Sequence, residues 1–194
     1  MAGLDVKGAI HGYLRGARET LVWKLAGLGE YDIRRPITPT GTNLLGLVKH
    51  NTGTHLRYFG VVFGRTPDTS LSSAVDDPEP NADLWARPDE TRDGILAHYR
   101  SSWAFADATI DELPLDTVGR VPWWGDSPVT LHHVLVHVTA ETQRHAGHAD
   151  IIRELIDGAA GLLDGHDNLR IADPTAQRAF HDRIEAAARL ADGH

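Results

Sequence analysis

Apolar residues recur every three or four positions in four long stretches of this chain, and strand-like alternation is nearly absent. The first stretch runs from about Leu4 to Leu28, with Val6, Ile10, Tyr13, Leu14, Leu21, Val22 and Leu25 on its repeat. The second runs from about Thr42 to Phe63, with Thr40 or Thr42 as N-cap and Leu44, Leu47, Val48, Tyr58, Phe59 and Val62 as its apolar set. The third begins near Pro88 and reaches about Glu112. The fourth runs from about Pro128 to Ile156, with Ser127-Pro128 read as N-cap and first-turn proline. Such a pattern predicts an all-α protein, four helices forming a four-helix bundle with a C-terminal extra helix from about Thr175 to Leu190. The expected division is 1–160 for the bundle and 161–194 for a loop and helix that pack on the bundle or on a partner.

The connections are irregular. Gly64 to Arg87 is rich in Pro, Asp and Ser and reads as a long crossover loop, a kind uncommon in compact domains unless functional or mobile. Its acidic run Asp76-Asp77-Pro78-Glu79 reads as solvated. The second connection carries Trp123-Trp124 just ahead of the fourth helix, where the pair could wall a pocket or simply pack the loop down.

Within the fourth helix the string LHHVLVHVTAETQRHAGHADII, 131–152, breaks the usual rule that the inward face is apolar. At about 100° per residue His137, Glu141, His145 and His148 share an arc of roughly 80° with Val134, Val138, Ile152 and Leu155. A buried carboxylate costs several kcal/mol unless it is paired, hydrogen-bonded or metal-bound. Glu141 and His145 at i,i+4 can supply two of the three protein ligands that a catalytic zinc needs. His50, at the margin of the second helix's apolar arc, is the candidate for the third, and His55 is its rival. His148 could be a fourth ligand, a partner to a ligand or an acid/base group, and His137 could cap a buried carbonyl.

Composition narrows the chemistry. The chain of 194 residues has no cysteine, which excludes disulfides, thiolate metal sites and a cysteine nucleophile. Its net charge of −8 lacks the basic footprint that nucleic-acid binding requires. No apolar run approaches the roughly 18 residues of a membrane span, and the amino terminus lacks the apolar stretch of a signal peptide. A cytoplasmic protein is the expectation. Zincin, di-iron, P-loop and serine-hydrolase elbow motifs are all absent.

Three strings together, LLGLVKHNTGTHLRYFG, AHYRSSWAFADATIDEL and HVLVHVTAETQRHAGHADIIREL, resemble the DinB-like superfamily of metal-binding four-helix bundles. Within it the chain is most similar to an actinobacterial group and to the metal-binding domain of mycothiol-dependent maleylpyruvate isomerase. The resemblance implies an up-down-down-up bundle, a homodimer and a divalent metal on His50, Glu141 and His145, the last two matching a Glu-x-x-x-His pair. Zinc is the first choice of ion, with nickel, iron or manganese as alternatives. It further implies a transferase using mycothiol or a similar thiol as cosubstrate on a small-molecule electrophile. The short tail has no counterpart of the isomerase's thiol-contacting second domain, so maleylpyruvate itself is not the expected substrate. The competing expectations are a hydrolase that activates water and a non-catalytic metal-binding protein of stress response.

Overall fold

The computed structural model describes residues 5–68, 79–167, 169, 171 and 173–192. Leu4 and, of the acidic run, Asp76, Asp77 and Pro78 lie outside them. Most described residues are helical, and the chain divides into two compact units, Met1–Ala160 and Gly161–His194.

In the first unit the helices are α1 (Val6–Trp23), the short α2 (Glu30–Arg34), α3 (Leu44–Phe59), α4 (Arg92–Glu112) and α5 (Leu131–Asp157). Each long helix begins at a side chain able to take up an orphan amide. Asp5 accepts from Gly8, Asn43 from Gly46, Thr91 from Gly94 and Thr130 from His133. Helix α3 packs against α4, α5, α2 and α1, and α1 packs against α5. Burial of the apolar faces gives two clusters. One gathers Leu21, Leu25, Ile33, Leu45, Val48, Tyr99 and Ile152, the other Leu14, Phe59, Ile110, Leu131, Val134, Leu135 and Val138.

Several boundaries differ from the sequence expectation. Helix α1 stops at Trp23 rather than near Leu28: the next amides bond three residues back, Leu25 to Val22 and Ala26 to Trp23, and Gly27 turns the chain at φ 76°. The Arg153 guanidinium on α5 donates to the carbonyls of Trp23, Lys24 and Ala26 at 3.4, 3.0 and 2.9 Å, and is itself held by Asp157. Helix α3 is capped by Asn43, not Thr40 or Thr42, and ends before Gly60; a 3-10 turn, Val61–Phe63, follows. Helix α4 starts at Arg92 rather than near Pro88.

The largest difference is at Ser127-Pro128, which does not open a helix. Ser127–Thr130 forms strand β2, antiparallel to β1 (Val118–Val121), with Val121 opposite Ser127 and Val118 opposite Thr130. Pro128 is tolerated because a two-stranded ribbon has free edges. The helix follows directly: Leu131 and His132 donate their amides to the carbonyls of Thr117 and Leu115, both at 2.9 Å, so the ribbon's approach satisfies donors that the helix start leaves open.

The second unit carries α6 (Pro174–Ala191), capped by Asp173, with Pro174 in its first turn. Phe180, Ile184 and Leu190 are exposed. No helix among the described residues is long and apolar enough to cross a membrane.

Candidate functional site

Two ladders of side chains face each other across the seam between α3 and α5. His50, Thr54 and Tyr58 follow one another at i,i+4 on α3, and His137, Glu141 and His145 do so on α5. The helices run antiparallel along this seam, since His50 meets His145 and Tyr58 meets His137. The His50 and His145 rings lie edge to face with centroids 5.0 Å apart. Tyr58 and His137 are joined by a hydrogen bond of 3.0 Å between the hydroxyl and Nε2. Between the two ends is a cavity of about 480 Å³, lined by His50, Thr54, Arg57, Tyr58, Trp123, His137 and Glu141.

Each end has its own chemistry. At the His50 end, Nδ1 lies 2.6 Å from the Asp83 carboxylate. His145 lies behind, its Nε2 3.9 Å from Glu141 and its ring 5.7 Å from that of the exposed His148. Burial first, with the neighbouring His50 assisting and Glu141 opposing, lowers the His145 pKa to about 4. The ring is therefore neutral near pH 7, the state in which a nitrogen lone pair is available. Its Nδ1 is buried and has no hydrogen-bond partner.

At the other end the Trp123 indole donates to the Tyr58 hydroxyl at 3.2 Å. Trp124 stands edge-on to His137 at 4.8 Å and also packs on His133 and Tyr58. Both tryptophans are delivered by the 3-10 turn Pro122–Trp124 at the tip of the ribbon, which Gly125 and Asp126 close at positive φ. His137 thus bonds a phenol rather than capping a carbonyl. Its pKa is lowered by burial, with Glu141 opposing and His133 assisting.

Not every residue of the expected arc points inward. Val134, Val138 and Ile152 are buried, but Leu155 is 68% exposed and His148 is on the surface. His55, the rival ligand, is excluded by its surroundings. It is completely buried, its Nδ1 is 3.1 Å from Ser102 Oγ, and its Nε2 accepts from Arg18 Nε at 3.3 Å. Ser102 donates its only hydroxyl proton to the Tyr99 carbonyl, so His55 must donate through Nδ1–H and has no lone pair left.

Tyr58 and Asp83 were not singled out by sequence reasoning. The i+8 spacing of Tyr58 from His50 could have found the first. Nothing local points to Asp83, which lies in the crossover segment.

In kind, two imidazoles and a carboxylate suit a divalent ion, and the orphaned His145 Nδ1 is a buried polar atom whose cost is offset only by a partner. As the side chains stand, no three His, Asp or Glu groups among the described residues close around a single ion.

The fold is shared with a solved structure, that of a conserved protein from Enterococcus faecalis. The likeness has a TM-score of 0.65 at 18% identity and covers 81% of this chain and 100% of that one. That identity speaks for the helical architecture alone. No curated protein matches the chain. Residues 9–158 match the family model described as Mycothiol-S-transferase. The chain belongs to this family of DinB-like proteins.

Proposed function

We propose that the chain is a divalent-metal-dependent transferase that joins a low-molecular-weight thiol, mycothiol or a close analogue, to a small electrophile. His50, Glu141 and His145 are the proposed ligands, with zinc as the first choice of ion ahead of nickel, iron or manganese. The observation that carries this reading is the approach of two imidazoles from different helices, 5.0 Å apart, beside a carboxylate at the edge of a cavity. The family description supplies the thiol, and a chain without cysteine must take its sulfur from outside.

A divalent ion held by these residues would lower the pKa of a thiol in its open position, as it does for bound water. The chain's own groups do the rest. His145, neutral through burial, offers a lone pair. Tyr58 and His137 hold a polar group of the substrate at the far end of the cavity, and Trp123 walls it, with Trp124 packed behind on Tyr58 and His137. His148, exposed beside His145, exchanges protons with solvent. In the transfer, sulfur bonds to the electrophilic carbon, the leaving group departs with its electron pair, and the thiol proton passes to water.

The same reading takes the first unit as a four-helix bundle of up-down-down-up order and the protein as a cytoplasmic homodimer; light scattering on the purified chain tests the dimer. For the metal, elemental analysis of untagged protein is decisive. Wild type is expected to carry near-stoichiometric metal, and His50→Ala, Glu141→Ala and His145→Ala each to lose it. Retention of full metal by Glu141→Ala or His145→Ala removes the basis of the proposal. Mycothiol consumption with a panel of electrophiles is the activity test; turnover without thiol would favour hydrolysis instead.

A further inference from the structure

We propose that Asp83 is a positioning residue that fixes the tautomer and orientation of His50, so that Nε2 is the nitrogen turned to the ion. The inference rests on the ligand set proposed above and extends it to a residue far away in sequence.

The 2.6 Å contact between His50 Nδ1 and Asp83 Oδ2 is short even for a charge-assisted hydrogen bond. An ionised carboxylate only accepts, so Nδ1 must carry the hydrogen. A neutral imidazole then has its single lone pair on Nε2. Histidines that bind metals commonly give their other N–H to a carboxylate or carbonyl, which holds the ring in one orientation and raises its basicity.

Asp83 is held at His50 by contacts along the first turns of α3. Asn81, at φ 63°, starts the 3-10 turn Ala82–Leu84, and the buried Ala82 anchors it. Asn43 uses both ends of its amide: Oδ1 caps α3 at Gly46 while Nδ2 donates to the Leu84 carbonyl at 3.1 Å. Lys49 donates to the Trp85 carbonyl at 3.1 Å and to Glu90 at 2.8 Å. Gly46 completes the fit, because a Cβ there would overlap the Leu84 carbonyl oxygen. With Leu84 pressed onto the helix and Lys49 holding the next residue, Asp83 has His50 as its partner. Its side chain is 38% exposed, so it is not a core group and its removal leaves the apolar clusters intact.

The test compares wild type with Asp83→Ala, Asp83→Asn and Gly46→Ala. Long-range proton–nitrogen correlation on 15N-histidine-labelled, metal-free protein, recorded in mildly alkaline solution, reads the His50 tautomer. It is expected to be Nδ1–H in wild type and to move toward Nε2–H in Asp83→Ala. Zinc affinity, measured by competition with a chromophoric chelator, is expected to fall roughly 10- to 100-fold in Asp83→Ala. Asp83→Asn should recover part of that, since its amide oxygen still accepts from Nδ1–H. Gly46→Ala should weaken zinc in the same direction while every acid and imidazole remains. An Nε2–H tautomer in wild type, or unchanged zinc affinity in Asp83→Ala, overturns the inference and leaves the ligand set untouched. Wild-type protein that takes up no zinc overturns the ligand set, and this inference with it.

Discussion

His50 and His55 stand on the same helix, one turn and a little more apart, and their surroundings are opposite. His55 faces α1 and α4 in a network in which Arg18, itself fully buried, is paired with the half-buried Asp107 at 2.5 Å and Asp107 also accepts from His11 at 2.8 Å. Tyr99 stacks on the His55 ring at 5.5 Å, and burial raises its pKa. Both His55 nitrogens are used. His50 faces α5 and a cavity, with one nitrogen tied to a carboxylate and the ring edge toward a second imidazole. A histidine with both nitrogens satisfied in a dry core holds helices together. One with a single nitrogen tied beside an open space is prepared to bind. The chemistry of the two residues is the same, and their environments separate structure from function.

Breaking the buried network should cost the most. Asp107→Ala leaves the Arg18 guanidinium buried without its counter-ion, a loss of about 3 kcal/mol. In a chain of this size that is roughly 6–12 °C of melting temperature, measurable by calorimetry. Metal uptake should be unaffected, because no candidate ligand touches the network. A melting point equal to wild type would mean that solvent reaches Arg18 readily.

The next effect is a pH dependence of stability. Complete burial, assisted by Arg18, holds the His55 pKa well below 6.5, so the folded chain keeps it neutral. The unfolded chain takes up that proton near 6.5 and thus binds more protons below it. The contribution of His55 to stability is therefore full above about pH 6.5 and falls as pH drops, with a slope approaching one proton's worth, about 1.4 kcal/mol per pH unit. Asp107 acts in a separate window. Burial alone would raise its pKa, but bonds from His11 and Arg18 carry it below 3.8, so its contribution is present above that value and lost under stronger acid. Urea midpoints across the mildly acidic range should show the histidine slope. His55→Gln should flatten it by about one proton's worth, and His145→Ala, whose ring is also neutral in the folded chain there, by a similar amount; a slope unchanged in His55→Gln would show that the completely buried ring is not a source of it.

The smallest effect belongs to the cavity wall. Tyr58→Phe removes the hydroxyl that joins Trp123 to His137, worth about 1 kcal/mol or roughly fivefold in KM. Metal content should stay at the wild-type level, and melting temperature should fall by no more than roughly 2–4 °C. A change in metal content instead would move Tyr58 from the wall to the ion-binding end.

Much of this was legible in the sequence. The inward placement of Glu141 and His145 follows from the helical repeat, as does the position of His50 at the margin of its own apolar arc. What escaped depends on contacts between residues far apart in the chain. The turn after α1 is held by Arg153, on another helix. Ser127-Pro128 looks like a helix start because both residue types suit one, yet pairing with Val118–Val121 claims it, and Thr130 makes the cap. His55 reads like His50 in spacing; only Arg18 and Ser102, from α1 and α4, distinguish them. Asp83 sits in a segment whose composition says loop, and its role appears only once Gly46 and Asn43 are seen to hold Leu84 against α3.

The ribbon that ends at Thr130 also sets how this protein can diversify. Its tip, 122–126, presents Trp123 and Trp124 while its base supplies acceptors for the first amides of α5. Changing the tip's length or residues would reshape one side of the cavity, whereas the base anchors the helix bearing Glu141 and His145. The tip can therefore change while the helix it precedes stays in register.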